Sequence, residues 1–567
     1  MRSSTTASRP AETAGPTTFR VARSLFLRSL GLVYVVAFAS LAGQVELLFG
    51  EQGIWPFERL LESVRAEAGG AAWIRTPTIF LALGAKDAVI VGAAWAGVAI
   101  GGLLVLGIVP RVSLVLCYVL YLSFRSLGVL SASDAAVLFL GYQWDALLLE
   151  AGVLAILLSP GGLFLDRPGE PGASPPSRVA LALLWFLSFR LFFGSAWVKL
   201  NSGDPTWALA EPTALQFHFF TQPLPNALAW YANALPDVVL SLAAQWMYVV
   251  EGLFPFLLLV CLFEGFSLAP PVRRLLRVLR HLAAFGFLSL LVGIAFTGSY
   301  GFFHLLSAAL VILLVDDEAF AALLRWVPGL GRWARVRVES SEAAEPRGPR
   351  ASPMIETARM TVFLVTAVLL GFVAVVVFGA QVDGSAGRAR TLRPVFIAAE
   401  RFGIASRYGL FARMTTERPE LFLEGSADGR TWRRYEFRYK PEDATRRPRW
   451  AGFHMPRVDW QLWFAALESD RELGARINTP WIRKLLIRIL EGAPHVDGLF
   501  ARNPFPEAPP RYVRILVADS RFTTPEERRE SGSWWLREEL RVFHPAVGFE
   551  GEPEGTVPSR EPGAPGR

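Results

Sequence analysis

Two stretches of this chain, Ala88 to Ile108 and Met360 to Ala380, contain no charged residue. An α-helix rises 1.5 Å per residue, so about 20 apolar residues cross a hydrocarbon layer roughly 30 Å thick. Backbone groups have no water to bond inside lipid, and runs of this length satisfy them by folding as helices. Weaker apolar runs follow the same logic: Ser24 to Ala42, Val112 to Phe124, Ala135 to Leu158, Val179 to Val198, Val238 to Phe263, Leu279 to Gly298 and Gly301 to Val315. The expected fold is therefore a polytopic, mainly α-helical membrane protein of about nine spans. With 52% hydrophobic residues against 19% charged, and a mean hydropathy of +0.35, a water-soluble enzyme is excluded.

Cytoplasmic loops carry the excess of Lys and Arg. With the N-terminus inside, the inner segments hold 18 basic residues and the outer loops before the last span hold 6. An odd number of spans then puts the C-terminus outside. The net charge of +7 belongs to this bias and does not indicate a nucleic-acid partner. The basic, Ser/Thr-rich start leads into an uncleaved first helix rather than a signal peptide.

The organisation expected is a cytoplasmic segment 1–23 and a helical bundle 24–315 with outer loops 43–87 and 199–237. A cytoplasmic linker 316–359 and a last span 360–380 follow. An exterior β-rich domain 381–550 and a disordered, Gly/Pro/Glu-rich tail 551–567 complete the chain. Within the exterior domain, Glu420 to Tyr439 alternates apolar and polar residues around a Ser-Ala-Asp-Gly turn, a hairpin pattern. Tyr512 to Val517 reads as a strand, and Trp460–Leu467 and Trp481–Leu490 read as amphipathic helices.

The two cysteines, Cys117 and Cys261, lie in apolar runs, which leaves no disulfide framework and no cysteine metal cluster. His281 and His304 stand too far apart in sequence to propose a metal site. No Gly-x-Ser-x-Gly elbow, phosphate-binding loop or His-Glu-x-x-His pattern is present. Neither a metal nor a cofactor is expected.

Only four basic residues are lysine: Lys86, Lys199, Lys440 and Lys484. Lys199 closes the fifth span and opens an unusually polar outer segment with Asn201, Asp204, Trp207, His218, Thr221 and Gln222. An amine at such a border can serve as a base, nucleophile or anion clamp when buried, or can simply snorkel to the interface. Lys199 and His218 are the candidate catalytic residues, set against a reading in which Asp204-Pro205 is turn chemistry and His218 a satisfied loop residue.

Ionisable groups inside spans are functional candidates by default, here Asp145, Glu150, Arg190 and Glu251. Asp145 and Glu150 sit about 140° apart around a helix and form no carboxylate dyad. Pairing of Arg190 with one of them is the expected structural role. Gly97-Val-Ala-Ile-Gly101 is expected to let two helices approach closely.

Several blocks together resemble the lipase maturation factor family. They are Gln143-Trp-Asp-Ala-Leu-Leu-Leu-Glu150, Lys199-Leu-Asn-Ser-Gly-Asp-Pro-Thr-Trp207, Phe217-His-Phe-Phe-Thr-Gln-Pro-Leu-Pro-Asn226, Tyr435-Glu-Phe-Arg-Tyr-Lys-Pro441, Asp459-Trp-Gln-Leu-Trp-Phe-Ala-Ala466 and Arg502-Asn-Pro-Phe505. The resemblance runs in order from about residue 24 to about 545. It implies a membrane factor that helps exported lipases fold, acting in the endoplasmic reticulum in animals, with the C-terminal domain engaging the client on the non-cytoplasmic side. In a bacterium the corresponding place is the plasma membrane.

The chain departs from the family pattern Asp-Tyr-His-Tyr-Glu-Thr-Gln-Pro, reading Gln216-Phe-His-Phe-Phe-Thr-Gln-Pro223. A mechanism needing those two carboxylates is in doubt here. A shorter stretch, Gly194-Ser-Ala-Trp-Val-Lys199, is similar to the active-site lysine segment of vitamin K-dependent γ-carboxylases and their transmembrane relatives. That likeness implies the alternative, a membrane enzyme modifying a lipid, quinone or exported protein, with Lys199 as base and Trp197 and Trp207 around it.

The partners expected are thus the bilayer and an exported client, a lipase. Candidate client anchors in the exterior domain are Trp432, Tyr435, Trp450, Trp460, Trp463, Trp534 and Trp535, about a third of them on the surface.

Overall fold

The computed structural model describes residues 18–128, 139–165, 175–265, 269–326, 352–384, 390–469 and 480–549. The expected tail 551–567 and most of the linker, 327–351, lie outside the described residues. Among the described residues, seven helices are long and apolar enough to cross a membrane: α1 (Arg20–Ala42), α2 (Asp87–Leu106), α3 (Pro110–Gly128), α5 (Arg178–Leu200), α7 (Asp237–Glu264), α8 (Pro270–Thr297) and α10 (Pro353–Val382).

The fourth and eighth expected spans are occupied by shorter helices, α4 (Gln143–Leu158) and α9 (Phe303–Ile312). Their 16 and 10 residues rise about 24 and 15 Å. α9 starts just after Gly301, whose φ of +57° lies in the left-handed region, so the chain turns there instead of extending the helix. Two expected boundaries also move. Helix α1 begins at Arg20, and α10 at Pro353 behind the Ser352 cap, so residues 353–359 are helix rather than linker.

Glycines set the closest contact. A Cβ at Gly97 would lie 2.5 Å from the Phe38 ring, and one at Gly101 3.0 Å from the Val35 nitrogen. Gly31 of α1 answers from the other side, 2.8 Å from the Val105 nitrogen by the same construction. Helices α1 and α2 thus meet backbone to backbone, the role small residues play where lipid offers no hydrophobic drive. At the N-terminal end of α1, the Asp317 carboxylate accepts from its first backbone N–H groups, Arg20 at 2.7 Å and Val21 at 2.8 Å. Arg280, fully buried, holds Glu264 and Asp316 together there.

The C-terminal domain is a small antiparallel sheet with helices α11 (Arg457–Ser469) and α12 (Pro480–Leu490). Its strands are β1 (Pro419–Ser426), β2 (Arg433–Arg434), β3 (Tyr512–Phe522), β4 (Trp535–Arg537) and β5 (Arg541–Gly548). The expected hairpin forms only at Glu424–Arg434 and Gly425–Arg433. Beyond Arg434 the chain leaves β1, and Glu436–Phe437 pair instead with Phe500–Arg502. The long partner of β1 is β3, in register from Pro419–Asp519 to Ser426–Tyr512. Strands β4 and β5 follow each other along the opposite side of β3.

This domain does not stand apart from the bundle, as the change in composition after Ala380 suggested. One hydrophobic core runs from α1 through to β3. Trp460 of α11 sits edge-on to Trp144 of α4, ring centroids 5.1 Å apart, and to Tyr142 at 5.6 Å. The surface anchors expected of the domain are correspondingly fewer. Tyr435, Trp460, Trp463, Trp534 and Trp535 are buried, Trp432 is half-buried under Arg514, and Trp450 alone of the seven is exposed, at 56%.

Candidate functional site

The outer loop after α5 folds back as a 3-10 turn, Pro205–Trp207, and helix α6 (Ala214–Thr221). With α5, α7 and α8 it encloses a cavity of about 350 Å³. Lys199, from the last turn of α5, points into it, buried, and its Nζ donates to Glu251 Oε2 at 2.6 Å. The Trp207 ring lies under the ammonium, 5.4 Å from its centroid. Glu251 sits in a π-helical turn, Val249–Leu253, inside α7. Pro255 follows and has no N–H to continue the ladder, a local cause for the wider turn.

His218 of α6 lines the same cavity, its Nε2 3.3 Å from the Tyr300 hydroxyl. Burial, with the nearby Lys199 charge, pulls the His218 pKa down to about 4. The imidazole is therefore neutral at pH 7. Tyr300 donates to Gln222 Oε1 at 2.9 Å, and the Gln222 amide donates to the Phe219 and Thr297 carbonyls. Gln222 thereby locks the loop to the outer end of α8.

The remaining predicted residues divide differently. Asp204 accepts from the Met414 N–H at 2.6 Å as well as from Thr206, and Trp207 Nε1 donates to the Phe411 carbonyl at 3.0 Å. Burial acts to raise the Asp204 pKa, but these N–H bonds prevail and hold it below the usual carboxylate range. The Thr221 carbonyl accepts from Trp463 Nε1 at 2.8 Å. Arg418 donates to the carbonyls of Phe220, Gln222 and Pro223, and Trp230 donates to Thr523. Asp204, Trp207, Thr221 and Gln222 thus attach the C-terminal domain, while Asn201 is exposed and caps α5 through the Trp197 carbonyl at 2.9 Å. Trp197 stacks near Phe193, away from the cavity lining.

The intramembrane charges do the same work deeper down. Arg190 pairs with Glu150, whose other oxygen accepts from the Tyr408 hydroxyl at 2.6 Å and the Ser406 N–H at 3.1 Å. Asp145 goes elsewhere: it takes both terminal nitrogens of Arg457, at 2.8 and 2.9 Å, in a bidentate pair. The structure therefore joins Arg190 with Glu150, Lys199 with Glu251, and Asp145 with a residue of the C-terminal domain. Sequence reasoning missed Arg457, Arg418, Tyr408 and Tyr300. The arginines carried no signal in a chain where 53 of 57 basic residues are arginine.

Chemically the cavity offers an ion pair, a neutral imidazole and apolar walls. The Lys199 ammonium faces a carboxylate and does not stand as a lone amine in an apolar pocket. Among the described residues, no group of three or more His, Cys, Asp or Glu could hold a metal.

Fold and site together define a polytopic membrane protein whose β-rich extramembrane domain is built onto one end of its helices. The chain belongs to the lipase maturation factor family. Residues 21–322 match the family model described as the lipase maturation factor transmembrane domain, and 404–545 the model described as its C-terminal domain. Lipase maturation factor 2 of Homo sapiens is 31% identical over 641 residues, covering 94% of this chain and 83% of the relative. Lipase maturation factor 1 of Bos taurus is 29% identical over 552 residues, covering 94% and 89%. No solved structure gives a significant match.

Proposed function

We propose that the chain is a membrane-embedded maturation factor for exported proteins, with a lipase as client. In this reading the N-terminus is cytoplasmic and the C-terminal domain engages the client on the other side. The names of the relatives, lipase maturation factors 1 and 2, support the client class. The threefold bias of Lys and Arg toward the inner segments supports the orientation.

The observation that carries client binding is the edge of the exterior sheet. Strand β5 pairs with β3 on one side and with no strand on the other, among the described residues. Leu536, Leu540, Val542 and Phe549 are exposed along β4 and β5, Val542 at 64%. Pro545 has no N–H to offer a neighbour, so the usable edge is Arg541–His544; there, with its apolar side chains, it accepts a short extended segment as an added strand, the geometry a folding client offers before its own sheets close. The variant Leu540→Lys with Val542→Lys is expected to lower the yield of active lipase roughly tenfold, with the level of this chain unchanged. An unchanged yield contradicts the edge as the client site.

The competing reading is a modifying enzyme built on Lys199, and the cavity around that lysine is the observation in its favour.

A further inference from the structure

The cavity at Lys199 lies within the membrane bundle and is walled by Phe192, Trp246, Leu290 and Phe411, with the Lys199–Glu251 pair as its buried charged group. Its volume, about 350 Å³, falls in the range of small-molecule sites. Apolar cavities of even ~150 Å³ stay dry and take up apolar molecules. Ala243 of α7 and Gly293 of α8 also line the cavity, and both are exposed. Around them the exposed side chains are Leu242, Leu288, Val292 and Phe296, a face built for hydrocarbon. What reaches this opening is lipid.

We infer that the cavity holds an acyl chain taken from the bilayer, entering between α7 and α8, with its ester or carboxyl oxygen accepting from the Lys199 ammonium. An ammonium has three donors, and among the described residues the side-chain hydrogen bond that Lys199 makes is the one to Glu251. Desolvating an ion pair costs several kcal/mol per ion, and its remaining donors gain from a further oxygen. An acyl chain with an oxygen at its head supplies both the apolar fill and that acceptor. This inference is independent of the client edge on β5.

Gly293 provides a variant that blocks the opening without disturbing the fold. A Cβ there meets no atom within 4 Å, and a larger residue also favours the helix. The test uses the full chain in phosphatidylcholine nanodiscs with two photoreactive probes, a diazirine fatty acid and a phosphatidylcholine carrying the same diazirine chain. Labelled peptides are mapped by mass spectrometry.

Labelling at Phe192 and Phe411, inside the cavity, is expected from at least one probe, and is expected to fall about tenfold in Gly293→Leu while the unfolding temperature does not fall. Labelling by the fatty acid alone identifies a free acid as the source, and labelling by the phosphatidylcholine identifies a bilayer lipid. Labels confined to the outer faces of α7 and α8, or interior labelling that Gly293→Leu leaves intact, overturn the inference. A loss of lipase yield in the β5 edge variant with interior labelling retained separates this site from the client site.

Discussion

Lys199 and Glu251 neutralise each other at 2.6 Å in a buried site, so neither can be removed alone without cost. Lys199→Met leaves a buried carboxylate uncompensated and is expected to destabilise the protein by about 3–5 kcal/mol, read as a fall in unfolding temperature in detergent. Adding Glu251→Met is expected to recover most of that loss. Lys199→Arg keeps the charge but not a compact amine, so it is expected to preserve lipase yield. A folded Lys199→Arg protein without function favours the enzyme reading.

A titrating feature lies in the C-terminal domain. Burial raises Asp459 and Glu442 to about 7. For a carboxyl raised above its unfolded value, stability is fully present below the unfolded pKa and is lost as pH rises through the folded one. Wild type is therefore expected to lose stability relative to Asp459→Asn as pH climbs from about 4 to 7, by roughly 1 kcal/mol or more. Parallel unfolding curves for the two proteins across that window would contradict the buried, protonated state.

Lys199 was legible because lysine is rare in this chain, and Glu251 because charge in an apolar run is costly. Their pairing was not, since 52 residues and two helices separate them.

At the scale of elements, glycine and arginine decide how helices meet. Gly97→Leu places side-chain atoms where the Phe38 ring already sits, and is expected to cost about 1–3 kcal/mol by overpacking. The neighbouring Gly102, whose Cβ meets nothing within 4 Å, is expected to tolerate the same change, which an unfolding comparison checks.

Long apolar runs were legible as helices because hydropathy and length suffice to define a span. The break in α7 was not, because a π-helical turn is a shift in hydrogen-bond partners rather than in composition. Likewise the Glu420–Tyr439 alternation is real, but Glu436 and Phe437 of its second half pair with Arg502 and Phe500, more than 60 residues away, which no local pattern encodes.

At the scale of the molecule, the exterior domain completes the bundle as well as capping it. Arg457 supplies the counter-charge for Asp145, and Tyr408 and Ser406 hold Glu150. Removing everything after Ala380 would leave buried Asp145 without its counter-charge and Glu150 with Arg190 but without its Tyr408 and Ser406 donors, so loss of function on truncation reports folding as much as client binding. Arg457→Met alone is expected to cost about 3–5 kcal/mol and to loosen the domain, seen as faster proteolysis of the exterior segment. The family blocks quoted from the sequence, around Gln143, Phe217 and Asp459, converge on this seam.

The most direct measurement is quantitative mass spectrometry of exported proteins from cells with and without this gene, complemented by wild type or by Leu540→Lys with Val542→Lys. A maturation factor predicts a lipase that loses abundance or activity at unchanged mass and is restored by wild type but not by the edge variant. A client that persists in full amount but lacks a defined mass increment contradicts the account and assigns the chain to modifying chemistry at Lys199.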